Sequence, residues 1–97
     1  MQEIDFSRYK QITDNIAKIV HSKNADYNRS FEKSFNKYGW AAYFLRIGDK
    51  LNRLEALTLG ERENLVKDES IQDTLTDIIG YSILLLEILQ REENKND

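Results

Sequence analysis

The sequence predicts an all-α fold of three long helices plus a short one, in a single domain. Three observations predict it. The chain has no proline and only four glycines, so strand and turn punctuation is almost absent. Apolar residues recur at three- and four-residue spacing along most of its length, the period of a helix with one buried face. Its 97 residues leave room for one core and no second.

Tyr9, Ile12, Ile16, Ile19 and Val20 make the first stripe. It reads as a helix over residues 6–22, with Asp5 or Ser7 as the cap. Residues 21–30, HSKNADYNRS, read as a polar connection, with Asp26 or Ser30 available to cap the next helix. A short helix over residues 31–38 ends at Gly39, a common residue just past a helix end. Trp40, Phe44, Ile47, Leu51, Leu54 and Leu57 mark a third helix over residues 40–57. Thr58 to Glu69 is a second polar connection, around Gly60. Ser70, with Asp73 three residues on, reads as the N-cap of a last helix over residues 71–92. The domain then spans residues 1–92, and the tail at 93–97 frays. From Ile78 to Leu89 the last helix is apolar nearly all round. Such a helix needs cover on several sides, and so small a chain can obtain it from a second copy. The expectation is a homo-oligomer, dimer or tetramer, with this helix at its centre.

Composition narrows the function. The chain is 40% hydrophobic and 32% charged, which is globular, and it has no cysteine. Disulfides and thiol chemistry are excluded, and a reducing cytoplasm is the expected location. The first helix carries Asp5, Arg8, Lys10, Asp14 and Lys18, so it is no apolar leader. No apolar run approaches the roughly 20 residues that span a bilayer, so no membrane partner is expected. Residues 21–53 hold seven bases and three acids, while residues 54–97 hold eleven acids and four bases. A protein that binds the grooves of DNA wants one dominant basic face, and this split does not supply it. The split suits a site needing both cations and carboxylates; it equally suits two halves that neutralise each other.

Glu69, Asp73 and Asp77 lie at successive four-residue intervals, each about 40° round the helix from the last. Carboxylates in such a row repel, and a Mg²⁺ ion would remove the penalty. Glu69 and Asp73 are also at home near a helix start. Asp77, two turns in and beside the most apolar stretch, is not. Arg46, Asp49, Lys50 and Arg53 form a second polar stripe. Asp49 and Arg53 read either as an i,i+4 ion pair or as a metal ligand beside a phosphate fork. His21, the sole histidine, sits where a helix-end dipole favours a cation.

Three blocks then carry a resemblance. KNADYNRSF (Lys23 to Phe31), RIGDKLNRL (Arg46 to Leu54) and VKDESIQDTLTDIIGY (Val66 to Tyr81) resemble the nucleotide modification associated domain 1 family, whose members are often encoded by bacteriophages. More distantly the chain is similar to the MazG-like all-α NTP pyrophosphatases. The resemblance implies a Mg²⁺-dependent, nucleotide-handling domain, assembled as a MazG-like oligomeric bundle and working in the bacterial host cytoplasm if phage-encoded. It implies Mg²⁺ held by Asp49, Asp73 and Asp77, and a catalytic set of Asp77, Asp73 and Glu69. Lys23, Arg29, Arg46, Lys50 and Arg53 would meet phosphate, and His21, Asn24, Asp26 and Tyr27 the rest of the ligand, Tyr27 by stacking on a base. Two departures stand out. Asn28 occupies a position where the family commonly has glycine, and the Glu-x-x-Glu metal pair of MazG-like enzymes is reduced here to Asp49, with Glu55 off its face. Three functions are compatible with these residues. The first is a Mg²⁺-dependent (d)NTP pyrophosphohydrolase or a nucleotide-modification accessory protein of a phage. The second is a non-catalytic protein that sequesters a nucleotide or cyclic nucleotide and so counters host defence signalling. The third is a helical adaptor gripping a partner through its last helix.

Overall fold

The computed structural model describes residues 5–27, 29–59 and 67–95, all but the side chains of residues 67–69. These residues form α1 (Phe6–Asp26), α2 (Ser30–Tyr38), α3 (Trp40–Leu59) and α4 (Lys67–Lys95). The all-α expectation of three long helices and a short one is met, and no strand occurs among the described residues.

The Asp5 carboxylate caps α1 by accepting from the Ser7 N–H at 2.9 Å. The Ser7 hydroxyl donates to the same carboxylate, and that bond first, with the N–H bond second, holds the Asp5 carboxyl below its ordinary value. α1 does not stop at residue 22. It runs through His21, Lys23 and Asn24 to Asp26, so the first six residues of HSKNADYNRS are helix and not connection. None of those six breaks a helix, since the stretch has neither glycine nor proline. The true turn is shorter. Arg29 takes the left-handed conformation at φ 57°, and its N–H donates to the Asn24 carbonyl at 2.9 Å. Arg29 is also the N-cap residue of α2, with no side-chain cap, so neither Asp26 nor Ser30 plays that part. Asn28 lies outside the described residues. Gly39 ends α2 at φ 67°, in the place expected of it.

α4 begins at Lys67, ahead of the expected Ser70 cap. Ser70 is inside the helix, where its carbonyl accepts the Thr74 hydroxyl at 2.7 Å. The helix also continues to Lys95, through most of the segment expected to fray. Of the expected Thr58 to Glu69 connection, residues 60–66 lie outside the described residues, and both ends are helical.

α3 and α4 pair as an antiparallel hairpin. Tyr43 and Ser82 share a hydroxyl hydrogen bond at 2.8 Å, and Lys50 reaches Asp77 further along. α1 lies against α4, and α2 closes the end of the hairpin. There Phe31, Leu85 and Ile88 form the buried cluster, and Glu32 pairs with Arg91. At Gly80 α1 and α4 lie close together: a Cβ there would sit 3.0 Å from Cγ2 of Val20. The core is small. Among the described residues only Ile16, Phe31, Ala42, Leu85 and Ile88 are buried apolar side chains. Ile79 and Leu86, in the stretch expected to be covered all round, are 41% and 56% exposed.

Candidate functional site

A cleft of about 390 Å³ opens between α1, α3 and α4. That is the size of pocket that takes small organic ligands. Its apolar floor includes Val20, Phe31 and Leu84, and Gly80 allows α1 to lie close enough to form a wall. Its rim is polar and comes from three helices: Lys23, Asn24 and Tyr27 at the end of α1, Arg46 and Lys50 on α3, and Asp77 and Tyr81 on α4.

The cations converge on Asp77. Lys23 Nζ lies 3.2 Å from Oδ1 and Lys50 Nζ lies 3.0 Å from Oδ2, so each carboxylate oxygen has its own ammonium. Burial pushes the Asp77 carboxyl up, but hydrogen bonds and charge from Lys50 and Lys23 outweigh it and hold the group below its ordinary value. One turn along α4, Arg46 stacks over the Tyr81 ring at 5.6 Å and donates to its hydroxyl at 3.3 Å. Three cations therefore face one carboxylate, with two tyrosines beside them. The local charge is positive, in a chain of net charge −3. An anion with an attached ring fits that balance.

Of the residues singled out from sequence, Lys23, Asn24, Tyr27, Arg46, Lys50 and Asp77 line this cleft. Asp26, Asp49, Arg53 and Asp73 are exposed outside it. His21 and Arg29 line a second hollow on the other side of α1, of about 350 Å³, with Glu32, Glu87 and Arg91. There Arg29 pairs with Glu32 at 3.6 Å. Asp49 and Arg53 do not form an ion pair, and Asp77 is matched by two lysines and no arginine. The Glu69 side chain lies outside the described part of the molecule. Among the described residues, no three acidic or histidine side chains come together as metal ligands. The donor set facing the cleft is a single carboxylate, which does not make a resident protein cage for Mg²⁺.

Sequence reasoning passed over Tyr81 as a partner of Arg46, and Gly80 as the point of helix contact. Each left a signal. Tyr81 continues the four-residue row of Asp73 and Asp77, and a glycine inside an apolar helix commonly marks close approach of another element.

Comparison with known proteins adds one finding. The family model described as nucleotide modification associated domain 1 matches residues 23–89, a span that begins at Lys23 and includes every polar rim residue named above. No curated protein and no solved structure shows a significant match.

Proposed function

The chain belongs to the nucleotide modification associated domain 1 family, and we propose that its cleft binds a nucleotide by the phosphates, as the Mg²⁺ complex. The observation that carries this reading is the pair of ammonium groups, from α1 and α3, meeting on one carboxylate in the cleft wall. Lys23 and Lys50 are the phosphate donors. Arg46, already oriented by Tyr81, adds a planar fork suited to phosphate oxygens. Tyr27, 65% exposed at the mouth, offers a ring face to the base.

In the free protein Asp77 occupies the two lysines. A phosphate that takes them leaves Asp77 as a carboxylate without a counter-ion. Mg²⁺ typically binds through one or two carboxylates plus phosphate oxygens and water, so the cleft suits an ion that arrives with the ligand. Such an ion would supply Lewis-acid polarisation of the phosphate when bound. The protein's own residues bind and orient the ligand. Sequestration of a nucleotide needs nothing more than this. Pyrophosphohydrolysis, the other reading of the same cleft, is distinguished by its products.

The test is a thermal-shift panel of ribo-, deoxyribo- and cyclic nucleotides, each with and without Mg²⁺. A ligand at a hundred times its dissociation constant stabilises the fold by about 2.7 kcal/mol. For a domain of this size that raises Tm by on the order of 10 °C. Chromatography of any stabilising nucleotide after incubation then reads turnover: a monophosphate and pyrophosphate would mark a hydrolase. No shift with any phosphate compound would overturn the reading and leave the adaptor function.

A further inference from the structure

The outer face of α2, with the corner where α2 meets α3, forms a second surface that the cleft does not use. Arg29, expected from sequence to meet phosphate, lies outside the cleft at the start of α2. Lys33 and Lys37 follow it at four-residue intervals. The Lys33 N–H donates to the Arg29 carbonyl at 3.1 Å, so the three bases stand on successive turns, about 6 Å apart along the axis. Lys33 and Lys37 are about 120–160° round α2 from Phe31 and Phe35, the two side chains that turn to the core. Both lysines are exposed, and among the described residues neither pairs with a carboxylate. Arg29 is loosely held, 3.6 Å from a Glu32 that also pairs with Arg91. Aromatic rings continue the row. Lys37 Nζ lies over the Tyr38 ring at 5.3 Å. After Gly39 turns the chain, Trp40 and Phe44 come together at 6.0 Å with their planes 33° apart. Tyr38, Trp40 and Phe44 are 63%, 50% and 64% exposed. We infer that this surface binds single-stranded nucleic acid, with phosphates along α2 and bases stacked on the rings at its end.

Three arguments select that partner. The first is charge. Residues 33–48 hold three bases and no acid, in a chain of net charge −3, and the complement of such a stretch is a polyanion. A stripe this narrow is not the dominant basic face that a duplex groove calls for, whereas a single strand needs only a basic track and rings on which its bases stack. The second is the rings. An acidic peptide would satisfy the lysines and leave three aromatic faces in water, while each stacked base contributes roughly 1–3 kcal/mol. The third excludes a lipid surface. A helix lying in a membrane interface buries its apolar face there, but the apolar face of α2 is already occupied, with Phe31 2% exposed. Recognition of anionic lipid also uses clusters of roughly four to eight bases, and α2 presents fewer. None of these residues lines the cleft, so the inference does not rest on the nucleotide reading.

The test is fluorescence anisotropy of a labelled oligothymidylate of about 15 nucleotides, titrated with the full chain. Binding should saturate, and Trp40, the sole tryptophan, should be quenched as bases stack on it. For single strands the slope of log affinity against log salt is about −0.7 per phosphate contact, so three contacts should weaken binding about twentyfold between roughly 50 and 200 mM salt. The double variant Lys33→Gln, Lys37→Gln leaves one contact and should reduce that loss to about threefold. Trp40→Leu should weaken binding without changing the slope. Lys50→Gln, in the cleft, should leave oligonucleotide binding as it is. No binding at about 50 mM salt overturns the inference, and this reading depends on no variant folding. Binding that Lys50→Gln abolishes and the lysine double variant retains puts the strand in the cleft and also overturns it. A duplex of the same length, or polyglutamate, that binds as tightly shows charge without stacking. Anionic phospholipid vesicles that bind while the oligonucleotide does not mark a membrane surface. Either result overturns the inference.

Discussion

Replacing Asp77 by asparagine tests the cleft more sharply than removing any cation. The variant keeps the shape and removes the charge that occupies Lys23 and Lys50 at 3.2 and 3.0 Å. Two costs act on the free protein. Each ion pair is partly solvated, with Asp77 23% exposed, Lys50 29% and Lys23 53%. Such pairs contribute up to about 1 kcal/mol each, and desolvation of Asp77 offsets part of that. The lysines can turn to water, so the variant should lose about 1 kcal/mol of stability, well short of the roughly 3–5 kcal/mol of a fully buried pair. Binding should change in the opposite sense. Without Mg²⁺, a phosphate entering the wild-type cleft must displace Asp77. In the variant it meets lysines already free, and recovering about 1 kcal/mol corresponds to about fivefold tighter binding. With Mg²⁺ the wild type should gain affinity and the variant should not. Isothermal titration of both proteins with the nucleotide found by thermal shift, in EDTA and in Mg²⁺, reads all four constants. If Asp77→Asn weakens binding equally in both buffers, Asp77 contacts the nucleotide directly, and the displacement reasoning fails.

The other expectations are simpler. Gly80→Ala adds a Cβ 3.0 Å from Val20; β-branched Val20 cannot readily rotate away within α1, so overpacking should outweigh the helix-propensity gain. A net loss of about 1 kcal/mol in urea titration is expected; a gain would show that the helices part freely. Glu32→Gln removes the carboxylate shared by Arg29 and Arg91 and should speed hydrogen exchange of α2 amides while leaving α3 unchanged, an effect that should shrink in high salt. The pH dependence rests on the lowered Asp77 value. A depressed carboxyl stabilises the fold above its ordinary 3.8 and loses that contribution as pH falls through the folded value. Asp77→Asn should therefore differ from wild type in Tm at neutral pH and converge with it at pH values well below 3.8.

The helices were legible because their period is written locally. Tyr9 through Val20 and Trp40 through Leu57 repeat at helical spacing, and Gly39 stops α2 where a left-handed residue is needed. Boundaries failed where polarity was taken for a break. His21 to Asp26 is polar because it lines the surface and the cleft, yet each of those residues accepts helical backbone. Ser70 has the side chain of a cap, but α4 began three residues earlier, and in mid-helix its carbonyl simply accepts from Thr74. Cover was legible only as an amount. The run Ile78 to Leu89 shows how much of α4 is apolar, but not which side α1 and α3 take, and Ile79 and Leu86 are left exposed.

The site was legible only in part, because its residues come from different helices. Spacing within one helix gives the row of Glu69, Asp73 and Asp77, which Tyr81 continues. It could not show that Asp77 lines the cleft and Asp73 does not, since about 40° of rotation per step is enough to carry a side chain out of a narrow groove. Nor could it show which cations meet Asp77. Arg46, Lys50 and Arg53 share one side of α3, and any of them satisfies a rule of opposite charge. The antiparallel register chooses among them. Once Tyr43 lies beside Ser82, moving one way along α3 is moving the other way along α4. Arg46 then falls at Tyr81 and Lys50 at Asp77, and Arg53 falls level with residues 72–74, outside the cleft. Lys23 joins by a separate constraint: Gly80 lets α1 come close at Val20, and three residues further on, close to one turn, Lys23 reaches Asp77. The geometry of the cleft thus depends on two packing contacts, Tyr43 with Ser82 and Val20 with Gly80, neither of which involves a charged group. A change at either should move the cations relative to Asp77 without altering any charge.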